Sequence, residues 1–189
     1  MKMKNALLSV MMMFFFIFSI NKIQAQTRSF YTVIQAGGML GVQTNKDLDP
    51  LNGFQFQFIF GQGINNKFYY GFGLGSDTYR GSVVDSDGTK HNRKTQMLPL
   101  FADFRVPVSE VGMLGRLTAF GNVGYAPKLS NQYMKGGLGK VGLSYEHLLA
   151  DNSFLKLSLG YGVQDFRGLT SQSSFLQQQV SLQIGLIVL

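Results

Sequence analysis

The sequence contains no cysteine, only four prolines in 189 residues, and few charged residues, which make up 14% of the chain. The absence of cysteine excludes a disulfide scaffold, a thiolate metal site and a lipid anchor attached through a cysteine. Beyond the N-terminal segment, no apolar run approaches the ~18 residues that a transmembrane helix needs. The formal net charge is +7, but the basic residues are scattered, so we expect no nucleic-acid partner.

The N-terminal segment has the features of a secretory signal peptide. Two lysines form a basic start, an apolar run covers residues 6–20, and Ala25 is the expected last residue before cleavage. An apolar run of this length is too short to span a bilayer as a helix. We therefore predict a signal peptide over residues 1–25 and one domain over residues 26–189, with an uncleaved anchor helix as the alternative.

Residues 54–60 show the pattern that dominates the rest of the chain. Phenylalanine occupies every second position, at Phe54, Phe56, Phe58 and Phe60, and glutamine or isoleucine occupies the positions between them. A period of two is the pattern of a β-strand with one apolar and one polar face. The pattern recurs about eight times, and the opposite face is usually polar or glycine-lined. This favours strands whose apolar face contacts lipid.

We predict eight strands, most of them near the 9–11 residues that a tilted strand needs to cross a bilayer. They cover residues 30–43, 53–61, 67–77, 95–108, 116–126, 136–148, 153–164 and 176–189. A helical interpretation fails because apolar residues recur at i+2 and because glycine is frequent. The predicted fold class is all-β: an eight-stranded antiparallel up-and-down transmembrane β-barrel, preceded by a cleavable signal peptide.

The connections between the predicted strands alternate in length if the N-terminus starts in the periplasm. The longer connections then lie outside, at residues 44–52, 78–94, 127–135 and 165–175, and the shorter turns lie inside, at residues 62–66, 109–115 and 149–152. Longer outer loops and shorter inner turns are typical of outer-membrane barrels.

The charged residues that fall well inside the predicted strands lie opposite the apolar face. A lipid-facing Arg or Lys near the bilayer midplane would cost ~2–4 kcal/mol. In an eight-stranded barrel the interior is just filled by side chains, and buried charges must be paired or hydrogen-bonded. We therefore predict a polar network that plugs the lumen, formed by Gln55, Gln57, Asp103, Arg105, Arg116, Lys140, Glu146 and Lys156. The residues expected to face lipid include Phe54, Phe56, Phe58, Phe60, Phe72 and Phe104. A narrow or gated ion path through the lumen is the alternative to structural filling.

A short motif, LPLFADFR, spans residues 98–105. It is similar to the fourth strand of PorT-like proteins. The chain from about Phe30 to Leu189 resembles the small eight-stranded outer-membrane β-barrels, the family that includes OmpX and the OmpA transmembrane domain. The resemblance implies residence in the outer membrane of a Gram-negative cell envelope, contact with outer-membrane lipids and delivery to the barrel-assembly machinery. A PorT-like protein would also suggest a role beside a secretion system.

Catalysis on such a barrel requires a base beside a nucleophile near the outer lip. His91 lies in a polar, glycine-containing stretch typical of an exposed loop, and His147 lies near the inner end of its strand. A triad of Asp85, Ser86 and His91 can be drawn, but a loop would hold it poorly. We predict that the protein is not an enzyme, and a lipid-modifying outer-membrane enzyme is the alternative.

The sequence predicts no metal ion and no cofactor. Asp85, Asp87 and Gly88 form an Asp-x-Asp-Gly sequence, but the later acidic ligands of a calcium loop are missing. The glycines at positions 71, 73 and 75 have the spacing of a nucleotide-binding loop, but no helix follows them. We interpret them as part of a strand whose inner face stays small.

The function favoured by the sequence is that of a non-enzymatic integral outer-membrane barrel with a plugged lumen. Its outer loops, mainly residues 78–94 and 165–175, would make surface contacts with an extracellular or secretion-system partner, or serve envelope integrity. A third hypothesis is a soluble, lipocalin-like periplasmic barrel in which the phenylalanines face a cavity that binds an apolar ligand.

Overall fold

The computed structural model describes residues 28–44, 50–84, 90–130, 133–170 and 173–189. The predicted signal peptide lies outside these residues. The strands are β1 (Arg28–Thr44), β2 (Asn52–Ile64), β3 (Phe68–Val84), β4 (Lys90–Met97), β5 (Leu100–Val111), β6 (Gly115–Ala126), β7 (Gly136–Ala150), β8 (Ser153–Thr170) and β9 (Ser173–Val188). Among the described residues, no helix is long and apolar enough to span a membrane.

The strands form one closed antiparallel sheet. β1 pairs with β2 on one side and with β9 on the other, and β2 pairs with β3, which closes the sheet into a barrel. β4 and β5 are two parts of one barrel strand, because both pair with β3 in the same register. The barrel therefore has eight strands, and the predicted fold class is confirmed.

The break between β4 and β5 lies at Leu98 and Pro99. Proline has no backbone N–H and cannot donate a ladder hydrogen bond. The Pro99 carbonyl still accepts a hydrogen bond of 2.9 Å from the Gly75 N–H, so the strand keeps its course. The prediction of an uninterrupted strand over residues 95–108 is corrected at this one place.

The inner end of the barrel is the end that holds Arg28, Leu189 and the short turns. Asn65 and Asn66 both adopt positive φ angles, 52° and 55°, and the Lys67 N–H donates a 3.0 Å hydrogen bond to the Ile64 carbonyl. Two consecutive left-handed residues are the signature of a type I′ turn, which matches the twist of the flanking strands. The asparagines thus explain the tightness of the β2–β3 turn.

At the outer end of the barrel, opposite the inner end, the strands extend farther than the sequence predicts. β3 continues to Val84 and β4 begins at Lys90, so most of the predicted loop over residues 78–94 is a β-ribbon. β8 and β9 likewise extend into residues 165–175. The loop predictions were wrong there because polar residues interrupt the apolar alternation, whereas ladder hydrogen bonds do not require it.

The interior contains two apolar clusters. The outer apolar cluster consists of Met39, Leu51, Tyr79, Met97, Ala126, Met134, Phe166 and Phe175. The inner apolar cluster consists of Tyr31, Val33, Ile59, Tyr69, Phe101 and Ile187. On β1 and β2 the glutamines Gln35, Gln55 and Gln57 lie between the residues of the two clusters. This arrangement places polar side chains at the level where a membrane would surround the barrel.

Candidate functional site

The eight predicted lumen residues all point into the barrel. Gln55, Gln57, Asp103, Arg105, Lys140, Glu146 and Lys156 are buried, and Arg116 is half-buried. The cause is the period of the strands, which sends alternate side chains to opposite faces. These residues form three hydrogen-bonded groups. Asp103 pairs with Arg105 on its own strand, and the other contacts mostly join different strands.

The first group surrounds the carboxylate of Asp103. Its Oδ2 atom lies 2.7 Å from Nε of Arg105 and accepts a 2.8 Å hydrogen bond from the Tyr31 hydroxyl. Its Oδ1 atom accepts a 2.7 Å hydrogen bond from the Asn122 side chain. The Arg105 guanidinium also lies 5.4 Å from the centre of the Tyr31 ring. The buried carboxylate is therefore bound by three side chains from three different strands.

The second group lies at the inner end around Arg116. Its Nε atom is 2.5 Å from Oε2 of Glu146, and its Nη1 atom donates a 3.2 Å hydrogen bond to the Tyr69 hydroxyl. The guanidinium lies over the rings of Tyr69 and Phe154, at 5.3 Å and 4.7 Å. Stacked, doubly hydrogen-bonded arginine is a stable arrangement in a partly buried site.

The third group links two buried lysines through glutamines. Lys140 Nζ donates a 2.6 Å hydrogen bond to Oε1 of Gln55, and Lys156 Nζ donates a 2.7 Å hydrogen bond to Oε1 of Gln35. Gln57 joins the two ends, because its Oε1 accepts from Gln35 at 2.7 Å and its Nε2 donates to Gln55 at 3.3 Å. The two ammonium groups are thus solvated by amide oxygens, which replace water in the interior.

Glycines on neighbouring strands make room for the interior rings. A Cβ atom at Gly61 would lie 2.4 Å from the Tyr31 ring, and one at Gly73 would lie 2.3 Å from the Phe101 ring. Any side chain there would collide with an aromatic ring. The predicted small inner face of β3 therefore has a cause that the sequence did not show, namely the rings that pack against it.

The outer mouth of the barrel is covered by the outer apolar cluster. Leu51 folds inward from the β1–β2 connection, and its backbone N–H and carbonyl are both bound by the Gln177 side chain, at 2.9 Å and 2.8 Å. Met134 enters from the β6–β7 connection, where its N–H donates a 2.9 Å hydrogen bond to the Gln96 carbonyl. At the inner end, a cavity lined by residues such as Tyr31, Arg105 and Arg116 has a volume of about 10 Å³. That volume accommodates no more than about one water molecule.

The phenylalanines predicted to face lipid point away from the interior. Phe54, Phe56, Phe60, Phe72 and Phe104 are exposed, with 37–55% of their surface accessible. Phe58 is half-buried on the same face, because its ring packs edge-to-face on Phe56 with a centroid distance of 4.8 Å.

The residues considered for chemistry are not brought together among the described segments. His91 belongs to β4, where its backbone pairs with Val83, and Asp85, Ser86, Asp87 and Gly88 lie outside the described residues. His147 lies near the inner end, with Nδ1 3.3 Å from the Tyr145 hydroxyl. In the described segments, no group of three or more His, Cys, Asp or Glu side chains could hold a metal ion.

The predicted network leaves out several interior residues that bind its members. They are Tyr31, Gln35, Asn122 and Gln183, each hydrogen-bonded to a member of the predicted network. Asn122 and Gln183 had the right signal, since both lie opposite the apolar residues of their strands. Tyr31 and Gln35 lie on β1, where both faces are mixed in polarity and the alternation gives no direction.

Comparison with known proteins supports the fold alone. No protein-family model matches the sequence, and no curated protein matches it. The crystal structure of Neisserial surface protein A (NspA) matches with a TM-score of 0.58 and 15% identity, covering 85% of this chain and 97% of that chain. Two Pseudomonas aeruginosa structures are less similar. The outer membrane protein OprG has a TM-score of 0.48 and 11% identity, covering 85% of this chain and 95% of that one. The N-terminal β-barrel domain of OprF has a TM-score of 0.43 and 13% identity, covering 83% and 96%.

The likeness to NspA extends over nearly the whole of both chains, so the two proteins share the barrel as a unit. The predicted resemblance to small eight-stranded outer-membrane barrels is confirmed as a resemblance of fold. At this identity the comparison carries no residue roles from one protein to the other.

Proposed function

We propose that this protein is an integral outer-membrane β-barrel that acts through its wall and its outer end, with a lumen closed by its own side chains. The observation that carries the proposal is a continuous apolar belt on the outside of the barrel, described next. The barrel-assembly machinery would insert such a protein, and outer-membrane lipids would surround it.

The apolar belt is the outward face of the strands. It includes Ile34, Phe54, Phe56, Phe60, Phe72, Leu74, Phe104, Val123, Val141, Leu143, Leu157, Leu159, Leu182 and Ile184, all of them exposed. Soluble monomers rarely expose contiguous apolar patches above a few hundred Å². In a bilayer the same surface is favourable, because every backbone group of a closed barrel is already hydrogen-bonded. The belt therefore supports a location in the outer membrane.

The interior supports a closed lumen. Its centre is occupied by ion pairs and by the lysine–glutamine chain, and its outer mouth is covered by Leu51 and Met134. A narrow eight-stranded barrel has room for side chains or one small ligand, whereas the wide aqueous channels of porins occur in barrels of 16–18 strands. The outer β-ribbons of β3–β4 and β8–β9 are then the natural surface for an extracellular or secretion-system partner.

The two rival functions are less well supported by the described residues. A lipocalin-like barrel requires the phenylalanines to face a cavity, whereas here they face outward and charged residues fill the interior. A lipid-modifying enzyme requires a base beside a nucleophile at the outer lip. His147 lies at the inner end, and of the triad drawn with His91, Asp85 and Ser86 lie outside the described residues. Replacing serines and His91, followed by mass spectrometry of membrane lipids, tests the enzymatic alternative. An altered lipid profile would support it.

The proposed location is tested by expressing the full chain, separating the membranes and extracting them with high salt, with urea and with detergent. We expect release by detergent only, and migration on gels that changes when the sample is boiled, as is usual for folded barrels. Release by high salt alone would overturn the proposal.

The closed lumen has its own test in planar bilayers of purified protein. We expect no large, steady conductance. A stable pore with the conductance of a porin would show that the interior network opens, and would refute the closed state.

A further inference from the structure

A trough runs along the outer wall of the barrel between β5 and β8. Its volume is about 450 Å³, within the range of 300–1,000 Å³ that is typical of small-molecule sites. Phe104, Val123, Tyr161 and Val163 form its walls, and Gly121 and Gly139 lie at its floor. The trough is therefore apolar and lies within the belt that faces lipid.

The strand register explains the trough. Gly139 on β7 pairs with Val123 on β6 and with Val163 on β8, so it is the one position without a side chain in a row of three. Residues paired across strands point to the same face, so larger side chains rise on both sides of the glycine. A Cβ atom built at Gly139 meets no atom within 4 Å.

Two further glycines lengthen this gap. Gly121 lies one row closer to the inner end, between Phe104 on β5 and Val141 on β7. Gly137 lies two residues closer to the outer end than Gly139, on the same face of β7. A Cβ atom at Gly121 or Gly137 would approach only a backbone oxygen, at 3.9 Å and 4.0 Å. The three glycines thus leave a gap in the rows of outward side chains that extends from the belt towards its outer rim.

Two cations lie on the outer side of this gap. Lys135 shares the outward face of Gly137 and Gly139 and pairs with Arg167 through an antiparallel bridge, with backbone hydrogen bonds of 2.8 Å and 3.4 Å. At ~3.3 Å per residue, Lys135 lies about 13 Å from Gly139 along the strand. Arg167 is 2.6 Å from Asp165, whereas Lys135 makes no salt bridge among the described residues.

This arrangement favours an anion at Lys135. Like charges placed directly opposite each other across two strands repel, and Asp165 compensates only one of the two. An apolar trough below one unpaired cation is complementary to an anionic membrane lipid. The lipid's charge would lie at the headgroup level beside the cation, and its acyl chain would lie in the trough within the hydrocarbon layer.

We propose that the trough and Lys135 form a binding site for one anionic lipid of the outer leaflet. An acyl chain lies along Gly137, Gly139 and Gly121, and the phosphate contacts Lys135 and Arg167. The inference depends on the outer-membrane location proposed above, because only there does a lipid face this wall.

The test uses the full-length mature barrel, folded in a neutral detergent and examined by native mass spectrometry with added dipalmitoyl phosphatidylglycerol. We expect retention of about one lipid per barrel. Gly139→Leu fills the trough and should reduce retention about fivefold or more, as expected for loss of roughly 1 kcal/mol. Gly38→Leu is the matched control, because Gly38 also faces outward with no atom within 4 Å of its Cβ position.

The headgroup is tested separately. Lys135→Gln should reduce retention of the anionic lipid, whereas Lys94→Gln, which changes an exposed lysine on the outer ribbon, should not. Dipalmitoyl phosphatidylcholine should bind more weakly than the anionic lipid. Glycerol 3-phosphate alone should neither bind nor compete at equal concentration, because it has no acyl chain.

Equal retention by Gly139→Leu and Gly38→Leu would overturn the inference, as would equal binding of the two lipids with no effect of Lys135→Gln. Effective competition by glycerol 3-phosphate would point to a free phosphate site instead. If the wild-type protein does not enter vesicles at all, the proposed location fails and the lipid site fails with it. A normal vesicle insertion with no effect of Gly139→Leu refutes the lipid site alone.

Discussion

The Tyr31 hydroxyl donates a 2.8 Å hydrogen bond to Oδ2 of Asp103, joining β1 to β5 across the interior of the barrel. The two strands are not neighbours in the sheet, so no ladder hydrogen bond connects them. The contact is possible because Gly61 and Gly71 lack side chains where the tyrosine ring passes. Side-chain contacts in the interior of this protein therefore connect strands that are not neighbours in the sheet. The following predictions test these and other interior and wall contacts.

Asp103→Asn removes the counter-ion of Arg105 and leaves its guanidinium buried. Breaking a buried pair on one side costs about 3–5 kcal/mol, so we expect a clear fall in the urea concentration at which the folded barrel unfolds in lipid vesicles. The fraction of folded barrel at each urea concentration is measured from the different gel mobilities of the folded and unfolded protein.

Asp151→Asn is the control, because Asp151 is exposed in the β7–β8 turn and its change should have an effect of about 0.5 kcal/mol or less. The double variant Asp103→Asn with Arg105→Gln should recover part of the loss. If Asp103→Asn unfolds at the same urea concentration as the control Asp151→Asn, the ion pair does not stabilise the barrel.

Phe72→Arg places a cation in the middle of the apolar belt. At the bilayer midplane an arginine on the lipid face costs about 2–4 kcal/mol, and near the interface about 0–1 kcal/mol. Asn52→Arg is the matched control, because Asn52 is exposed on the outward face of β2 beyond Phe54, where it pairs with Arg80 at the outer end of the belt. We expect slower or incomplete vesicle insertion for Phe72→Arg and near-normal insertion for Asn52→Arg. Equal insertion of the two variants would contradict the assigned belt.

Gly73→Ala adds a methyl group where the Phe101 ring already lies, at 2.3 Å from the new Cβ position. Overpacking of this kind costs typically about 1–3 kcal/mol. Gly38→Ala, which adds the same group in open space, should be close to neutral. Adding Phe101→Leu to Gly73→Ala should recover stability in urea titrations, because the smaller side chain frees the space. No difference between the two glycine variants would show that the ring moves freely.

Gln177→Ala removes the side chain that binds both the N–H and the carbonyl of Leu51. Each such hydrogen bond contributes about 0.5–1.5 kcal/mol, so we expect the Leu51 amide to exchange with deuterium about tenfold faster. Gln178→Ala, one residue along on the outward face, should leave that exchange rate unchanged. Unaltered exchange in both variants would mean that other contacts keep Leu51 over the outer mouth.

Residues 136–164 illustrate how well the sequence predicts the wall. Apolar residues alternate from Val141 to Tyr145 in β7 and from Leu155 to Val163 in β8, so both strands and both faces follow directly from the sequence. Residues 78–84 and 90–94 illustrate the opposite, because their ribbon is built from backbone pairing and their sequence carries no apolar alternation. The break at Pro99 was missed because the alternation continues through it.

The sequence predicts which residues line the interior, but it does not predict which of them bind one another. Alternation identifies Lys140 and Lys156 as inward-facing residues, but it cannot say that glutamines from β1 and β2 bind them. The two partners of each pair are far apart along the chain, and only closure of the sheet brings them together.

Side-chain alternation in steps of two is a local property of an extended chain, and for this reason the strand count, the two faces and the identity of the outward phenylalanines follow from the order of residues alone. Contacts across the barrel depend on which strands adjoin and in which register, and a shift of one residue would change every one of them. Only the register and closure of the sheet therefore determine four features of this protein. They are the Tyr31–Asp103 hydrogen bond, the rings packed on glycines, the covered outer mouth and the trough below Lys135.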